Sequence, residues 1–482
     1  MMPTKVFVGR RKELDRLHAL FKKRTASLVV IRGRRRIGKS QLAQEFGKNH
    51  RFLAFSGLLP QPDLSAQDER DEFSRQLTWY TGLPEGHFDD WGKLFQLLAM
   101  QTREGRVIIL FDEISWMGAK DPRFLGKLKN AWDLQLRSNP ELVLILCGSV
   151  STWIEKNILS STGFMGRLSL DLVLDELPLP DAVRLLNASG GRFNPHETFK
   201  IFSITGGVPR YLEEIDPSLS ADENIRQLCF NKSGILFREF HDIFHDLFTT
   251  KSQYYRKIVE LLVEGSLDFI EICRQLKVQK SGFWSAYLDE LVKAGFVKRD
   301  FSWNLLSGKM SRLSVFRLSD NYLRFYLKYI APNTASINSA FFEYKTMSSL
   351  PGWDGIMGLQ FENLILNNAH FVWEALGIQP QDIVACGPYF QRKTQRHSGV
   401  QIDYLIKTRH NTLIACEVKF SRYKIKSTLS NAVGNKLTAL QLPTGYAIWP
   451  VLIHVGGVTQ LLTESGYFSH VIDFSAFLNV QK

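Results

Sequence analysis

The chain reads SLVVI over residues 27–31 and GRRRIGKS over residues 33–40, followed by QLAQEF over residues 41–46. This is the pattern G-x-x-x-x-G-K-[ST] between an apolar, strand-like run and a helix-like stretch. Backbone N–H groups of such a loop can surround a polyphosphate, and the start of the helix adds positive potential. Lys39 can neutralise the β- and γ-phosphates, and the Ser40 hydroxyl can ligate Mg²⁺. The sequence therefore predicts a site for a nucleoside triphosphate. The loop residues predicted to contact it are Gly33, Arg34, Arg35, Arg36, Ile37, Gly38, Lys39 and Ser40.

Length and composition are typical of a soluble globular protein with several domains. The chain has 482 residues, of which 44% are hydrophobic and 22% charged, so about two to four domains are expected. Its apolar runs have the length of strands rather than of membrane spans, and its beginning lacks the pattern of a signal peptide. The cysteines stand singly without C-x-x-C spacing, so the sequence indicates neither a disulfide framework nor a zinc knuckle. We therefore expect a cytoplasmic protein without a membrane partner.

Positive charge is concentrated in two segments of a chain whose net charge is +12. Residues 1–50 hold 14 Lys/Arg against 3 Asp/Glu, and residues 391–430 hold 9 against 2. The first segment exceeds what one triphosphate requires, so Arg34–Arg36 can also meet a neighbouring subunit or nucleic acid. A solvated basic face is the other interpretation. The second segment favours contact with a phosphate backbone.

A second apolar run ends in two carboxylates. Residues 106–111 read RVIILF and lead into Asp112 and Glu113. Ligands of α/β sheets gather at the carboxyl ends of strands, so we expect Asp112 to hold the Mg²⁺ shell and Glu113 to polarise the attacking water. The run Leu142–Cys147 leads into Ser149, which either senses the γ-phosphate between the two site strands or belongs to a Gly-Ser turn. Alternating strand-like and helix-like patterns over roughly the first 220 residues predict an α/β fold with a parallel sheet.

These motifs occur in an order that resembles a known family. Besides the loop and the two carboxylates, the chain carries VFVGR at residues 6–10, CGS at 147–149, GR at 166–167 and TGGVPRYL at 205–212. The set resembles the archaeal-type ATPase family, which is related to AAA+ and STAND P-loop NTPases, over about residues 5–330. The resemblance implies that ATP is the nucleotide and Mg²⁺ its metal.

The resemblance also implies roles for residues outside the loop. Gly9 and Arg10 would lie near the adenine, and Pro209 and Arg210 would belong to a helical lid that senses the nucleotide. Arg167 would approach the γ-phosphate of its own chain, or of a neighbour in a homo-oligomer, and neutralise charge in the transition state. A surface salt bridge is the alternative for Arg167.

The last third of the chain carries a second set of charged residues. Residues 412–420 alternate as a strand, so Glu417 and Lys419 project from one face, and a hairpin can bring Asp403 beside them. Two carboxylates and a cation are costly to place there unless a divalent ion binds Asp403 and Glu417 and activates a water. Lys419 can then orient this water.

Asp403, Glu417 and Lys419 resemble the motif of the PD-(D/E)XK nuclease superfamily, and Glu362 matches the acidic residue that many members carry on a preceding helix. The resemblance spans about residues 355–456 and implies a catalytic set of these four residues acting on DNA with Mg²⁺. Gln401 stands where an acidic residue is frequent. An exposed salt bridge on a hairpin and a degenerate fold that binds DNA without cutting it are the alternatives.

Four domains are predicted: a P-loop ATPase core at 1–178, a helical lid at 179–250, a winged helix at 251–335 and an α/β PD-(D/E)XK nuclease-like domain at 350–482. Aromatic residues such as Trp284 and Tyr287 on the third winged-helix segment are expected in a core or interface, with DNA contact as the other interpretation. The leading hypothesis is an ATPase that acts on DNA through a nuclease-like domain. The competing hypothesis is a STAND-like signalling switch or scaffold with a catalytically silent, DNA-binding C-terminal domain.

Overall fold

A computed structural model of the chain describes residues 7–82, 84–149, 151–240, 252–344, 346–393, 398–440 and 442–478. The chain divides into two units, Met1–Leu177 and Pro178–Lys482. Each unit contains a five-stranded sheet, and the second also contains a two-stranded one. Across the ranges given above, no helix is both long enough and apolar enough to cross a bilayer.

Five segments of the first unit form a parallel sheet. Its strands are β1 (Ser27–Arg32), β2 (Arg51–Ser56), β3 (Val107–Asp112), β4 (Val143–Gly148) and β5 (Leu168–Val173). They lie in the spatial order β2-β3-β4-β1-β5, and each neighbouring pair is parallel. The three central strands are buried almost throughout, which is why they read as near-continuous runs of Val, Ile and Leu. The predicted parallel α/β fold is confirmed.

Seven α-helices are described in this unit. They are α1 (Arg11–His18), α2 (Lys39–Gly47), α3 (Ala66–Thr81), α4 (Trp91–Gln101), α5 (Ile114–Met117), α6 (Phe124–Leu134) and α7 (Ser151–Ile154). Helix α3 begins with a capping box, in which Ser65 and Asp68 satisfy each other's backbone N–H groups. Helix α4 begins where the Asp90 carboxylate accepts a hydrogen bond from the Gly92 N–H. Polar caps therefore define where α3 and α4 start.

Aromatic rings pack between β3 and the helices α3 and α4. Phe95 stacks on Trp91 with ring centroids 5.5 Å apart and on Phe111 of β3 at 6.0 Å. It meets Phe73 of α3 edge to face at 5.8 Å. None of these four side chains is more than 2% exposed. Such stacked and edge-to-face pairs add to the stabilisation that burial provides.

The second unit begins with helices and a hairpin. The first helices are α8 (Leu179–Ala188), α9 (Pro195–Thr205), α10 (Pro209–Leu212) and α11 (Ala221–Cys229). Residues 241–250 of the predicted lid lie outside the described residues. Helices α12 (Ser252–Leu261), α13 (Phe269–Gln275) and α14 (Gly282–Lys293) then precede the antiparallel strands β6 (Val297–Trp303) and β7 (Met310–Leu318). Trp284 and Tyr287 on α14 are buried. The order is that expected of a winged helix, which stays a prediction.

A separate mixed sheet lies in the last third of the chain. It is preceded by α15 (Asn321–Phe325), α16 (Thr334–Asn338), α17 (Trp353–Asn367) and α18 (Ala369–Ala375). Its elements are β8 (Ile383–Gln391), β9 (Val400–Thr408), β10 (Thr412–Phe420), α19 (Thr428–Ala439), β11 (Ala447–Val455), α20 (Gln460–Glu464) and β12 (His470–Asp473). The order is β12-β11-β10-β9-β8, antiparallel from β8 to β10 and parallel from β10 to β12. Strand β8 was not among the predicted strands, because Gly387 and Pro388 interrupt its alternation where the register shifts.

Phe95→Ala should destabilise the first unit by about 3–5 kcal/mol, since it removes a ring from a closely packed core and leaves a cavity. Urea denaturation followed by hydrogen exchange at the β3 amides measures this loss. Trp79→Ala is the control, because that side chain is 74% exposed and its removal should cost less than about 0.5 kcal/mol. Equal effects of the two substitutions would contradict the packing described for Phe95.

Candidate functional sites

The predicted nucleotide loop lies between β1 and α2, at the carboxyl edge of the parallel sheet. Gly33 has φ +153°, and a Cβ atom there would lie 2.4 Å from the Leu174 carbonyl oxygen. Gly38, at the start of α2, is left-handed with φ +92°. Both positions therefore require glycine, one for close approach to the chain after β5 and the other for its backbone angle.

The ammonium group of Lys39 lies inside this loop. Its Nζ donates hydrogen bonds to the carbonyl oxygens of Gly33 and Arg34, at 3.0 and 2.9 Å. Burial lowers the pKa of Lys39, while attraction to Glu113 and Asp112 opposes that shift. The two carboxylates predicted at the end of β3 therefore lie within electrostatic reach of the lysine.

Ser40 and Asp112 meet directly. The Ser40 Oγ donates to the Asp112 Oδ2 at 2.5 Å. A hydroxyl and a carboxylate oxygen in contact, next to a loop of backbone N–H groups, are the hard donors that Mg²⁺ takes beside a nucleotide phosphate. The donor set thus fits the predicted metal.

Glu113 is held by Ser149, which directly follows β4, the strand between β1 and β3. It has a left-handed backbone with φ +49° at the start of α5. Its Oε2 accepts hydrogen bonds from the Ser149 backbone N–H at 3.2 Å and from the Ser149 Oγ at 3.0 Å. Because β4 pairs with both β1 and β3, Ser149 lies between the two site strands, as predicted. The role in sensing the γ-phosphate stays a prediction for Ser149.

Arg10 precedes the loop in the sequence and contacts it in the structure. Its buried guanidinium donates through Nη2 to the Ile37 carbonyl at 3.0 Å and to the Asp175 carbonyl at 2.6 Å. Gly9 and Arg10 both have positive φ, at 76° and 59°. These contacts give Arg10 a structural role, and the adenine contact implied for Gly9 and Arg10 stays a prediction.

Two arginines near the loop pair with acidic residues of β5 and the chain after it. Arg34 lies 3.1 Å from the Glu176 carboxylate. Arg32 makes two hydrogen bonds to Asp171 at 3.1 and 3.0 Å. Part of the basic excess around the loop is therefore neutralised within the unit.

Arg167 does not lie at this site. Strand β5 runs parallel to β1 with Leu168 near Leu28, so Arg167 lies where β1 begins, whereas the loop follows where β1 ends. The length of the strand, at about 3.3 Å per residue, separates the two edges by roughly 16 Å. An approach to the γ-phosphate of its own chain is therefore wrong, because an arginine side chain cannot span this distance. A contact with a neighbouring copy stays a prediction.

The partner of Arg167 within the unit is Asp133. Arg167 donates through Nε and Nη2 to the two Asp133 oxygens, both at 2.8 Å. Hydrogen bonding to Arg167 is the largest effect on Asp133 and lowers the pKa of that carboxyl to about 2. The predicted alternative, a salt bridge, is therefore present.

Pro209 and Arg210 belong to the second unit. They begin α10, where Pro209 is buried and Arg210 pairs with Glu214 at 2.6 Å and with Glu213 at 3.5 Å. The sensing role implied for these two residues stays a prediction.

The sheet of the second unit brings Asp403 and Glu417 together. The pairing of β9 with β10 ends at Tyr404 and Cys416, so Asp403, just before Tyr404, and Glu417, just after Cys416, lie at the end of the paired stretch. There the Val418 N–H donates to the Asp403 Oδ2 at 2.8 Å. Burial is the main cause that raises the pKa of Asp403 to about 7, and repulsion from Glu417 and Glu362 adds to it.

Glu362, on α17, is the third carboxylate of this cluster. Burial raises the pKa of Glu362, while Arg317 and Arg324 counteract the shift. Arg317 in turn pairs with Asp300 at 2.8 Å. The structure thus groups all three acidic residues that the sequence predicted from separate segments.

Two lysines contact Glu417, and the sequence predicted only one. Lys419 lies 3.5 Å from Glu417, and its side chain is 48% exposed. Lys436 on α19 lies closer, at 2.7 Å. Periodicity within β10 could not reveal a lysine from the following helix; the only signal was a cation in an otherwise uncharged helical stretch.

Asp403 and Glu417 supply the oxygen donors that suit Mg²⁺. Within the described ranges, no group of three or more His, Cys, Asp or Glu side chains is arranged to hold a metal ion. The predicted metal site therefore depends on two carboxylates, which fit a hexacoordinate ion that retains waters.

A family model and several known proteins match parts of the chain. Residues 7–215 match the model of a family described as an ATPase domain predominantly from Archaea. An uncharacterized protein of Methanocaldococcus jannaschii is 24% identical over 368 residues, which are 74% of this chain and 76% of that protein. A Walker-type ATPase of Pyrococcus abyssi shares the fold with TM-score 0.52 and 16% identity, over 67% of this chain and 96% of that one. The ORC2 protein of Aeropyrum pernix matches with TM-score 0.47 and 12% identity, over 70% and 96%.

Residues 7–215 thus resemble an ATPase domain of the kind found predominantly in Archaea. This match supports ATP binding and hydrolysis by the chain, on a P-loop NTPase-like α/β fold. The third of the chain that holds Asp403 and Glu417 lies beyond the matched residues, so its nuclease-like character stays a prediction.

Arg167→Ala should lower the stability of the first unit at pH 7, because Asp133 loses the partner that lowers its pKa. A depressed carboxyl pKa stabilises the fold above the unfolded value near 3.8, and this contribution disappears as the pH falls towards 2. Denaturation curves from pH 7 to pH 2 should therefore converge for wild type and variant. Arg137→Ala is the matched control, since that arginine is 3.9 Å from Asp133 and 60% exposed. A constant difference at every pH would contradict the assignment.

Proposed function

We propose that the first unit hydrolyses ATP at the loop 33–40. The observation that carries this proposal is the contact of Ser40 with Asp112 beside the Lys39 ammonium. Lys39 would bind the β- and γ-phosphates, and Ser40 and Asp112 would hold Mg²⁺. When bound, Mg²⁺ supplies neutralisation of phosphate charge.

Glu113 is proposed to orient the attacking water. Its carboxylate is held by Ser149, directly after the adjacent strand β4, and a carboxylate in this position can accept a proton from a water near the γ-phosphate. Ser149 would therefore act as a positioning residue that connects the state of the phosphate site to Glu113.

We propose further that the second unit acts on DNA, with Asp403, Glu417 and Glu362 as a Mg²⁺-dependent nuclease-like centre. Two features support this proposal: the grouping of the three carboxylates where β9 and β10 separate, and the basic segment at 391–430. Asp403 and Glu417 would hold the metal, and neighbouring lysines would stabilise charge on the phosphate. When bound, the metal supplies an activated water.

A STAND-like switch with a DNA-binding but inactive C-terminal domain is the second candidate. The observation that favours it is the direct pairing of Lys436 with Glu417, since a lysine can neutralise a buried carboxylate without a metal. Both candidates share the ATPase activity of the first unit, so DNA cleavage distinguishes them.

Lys39→Ala should lower ATP turnover at least about a hundredfold, because the phosphate loses its nearest cation. Glu113→Gln should bind ATP normally but hydrolyse it slowly, since the amide cannot accept the proton. Phosphate release and fluorescent-nucleotide binding measure the two effects. Lys48→Ala, an exposed lysine just beyond the end of α2, is the control. Unchanged turnover in Lys39→Ala would refute the assigned site.

Asp403→Ala should abolish Mg²⁺-dependent cleavage of plasmid DNA, with a fall of at least about a hundredfold. A gel assay with ATP and Mg²⁺ or Mn²⁺ measures it, and Glu464→Ala, an exposed acidic residue of the same unit, should cleave like wild type. DNA left intact by wild type at every metal concentration would rule out the nuclease and favour the switch.

A further inference from the structure

Lys436 is held against the carboxylate cluster by the helix that carries it. On α19, the buried side chains of Val433 and Leu437 anchor the helix in the core that covers the sheet. The Lys436 Nζ then reaches the Glu417 Oε2 at 2.7 Å. The Glu417 side chain is only 5% exposed, so this lysine meets a carboxylate that water hardly reaches.

Electrostatics distinguish Lys436 from Lys419. Burial lowers the pKa of Lys436, but attraction to Asp403, Glu417 and Glu362 outweighs it and raises the pKa above the usual value. Lys436 is also the cation that counteracts the raised pKa of Asp403. Lys419 lies 3.5 Å from Glu417. Lys436, at 2.7 Å, is therefore the closer of the two lysines to this carboxylate.

We propose that Lys436 competes with the divalent cation for the Glu417 carboxylate, so that metal binding has to displace its ammonium group. This inference rests on the proposed metal site at Asp403 and Glu417. The Lys436 side chain is 38% exposed, so its flexible stem can move the ammonium into water when a cation takes its place. The ion pair between Lys436 and Glu417 thus opposes metal binding.

Metal affinity tests this directly, without any activity measurement. Mn²⁺ binding to the full chain without nucleotide is followed by electron paramagnetic resonance of the free ion, and Asp403→Asn identifies the fraction bound at this site. Lys436→Met and Lys436→Gln should tighten that fraction at least about tenfold, equivalent to about 1.4 kcal/mol. Lys436→Gln keeps a hydrogen-bond donor for Glu417 should the apolar variant fold poorly. Lys419→Met, the matched control, should change the affinity less than about threefold.

Three results would overturn the inference. Unchanged or weaker Mn²⁺ binding in both Lys436 variants, while Asp403→Asn still abolishes it, would refute competition but leave the metal site intact. A larger gain in Lys419→Met would assign the role to the other lysine. Equal Mn²⁺ binding in wild type, Asp403→Asn and both Lys436 variants would refute the proposed metal site and this inference with it.

Discussion

The hydrogen bond from Ser40 to Asp112 joins residues 72 positions apart in the chain, and the proposed nucleotide site depends on the sheet that makes this contact. Parallel strands deliver their carboxyl ends to one edge, and the order β3-β4-β1 leaves a single strand between the loop and the acidic pair. Ser149, directly after that intermediate strand, holds Glu113. Strand order therefore determines which side chains lie together at this edge of the sheet.

Both candidate sites contain buried charges that neighbouring groups of opposite sign compensate. The buried charge is a cation in the first site and carboxylates in the second. In the first, one buried lysine is kept near two carboxylates and two carbonyl oxygens, so that a cation is available for an anionic ligand. In the second, three half-buried or buried carboxylates are kept near lysines and arginines. Unpaired charges in such surroundings would be expensive. In each candidate site, protein groups compensate a buried charge. A bound ligand of opposite charge would compensate that charge more completely.

Local patterns predicted what depends on adjacent residues. The loop, Asp112 with Glu113, and the pair Glu417 and Lys419 were predictable because strand alternation and motif spacing fix their faces and ends. Asp403 could be added because a hairpin constrains its partner strand.

Contacts between distant segments could not be predicted in this way. The pairing of Arg167 with Asp133 depends on which edge of the sheet a residue occupies, and parallel order reverses the expectation drawn from motif order. The contact of Lys436 with Glu417 depends on how α19 packs over the sheet. Neither the sheet edge at which a residue lies nor the packing of a helix over a sheet can be inferred from the spacing of residues along the chain.

The residues from Leu174 to Glu176 contact the loop 33–40 and Arg10. These three residues touch, in turn, Gly33, Arg10 and Arg34, and the first unit ends directly afterwards, at Leu177. The last residues of the first unit are thus held in contact with the loop 33–40. A rearrangement of the loop 33–40 would therefore also disturb these last residues of the first unit.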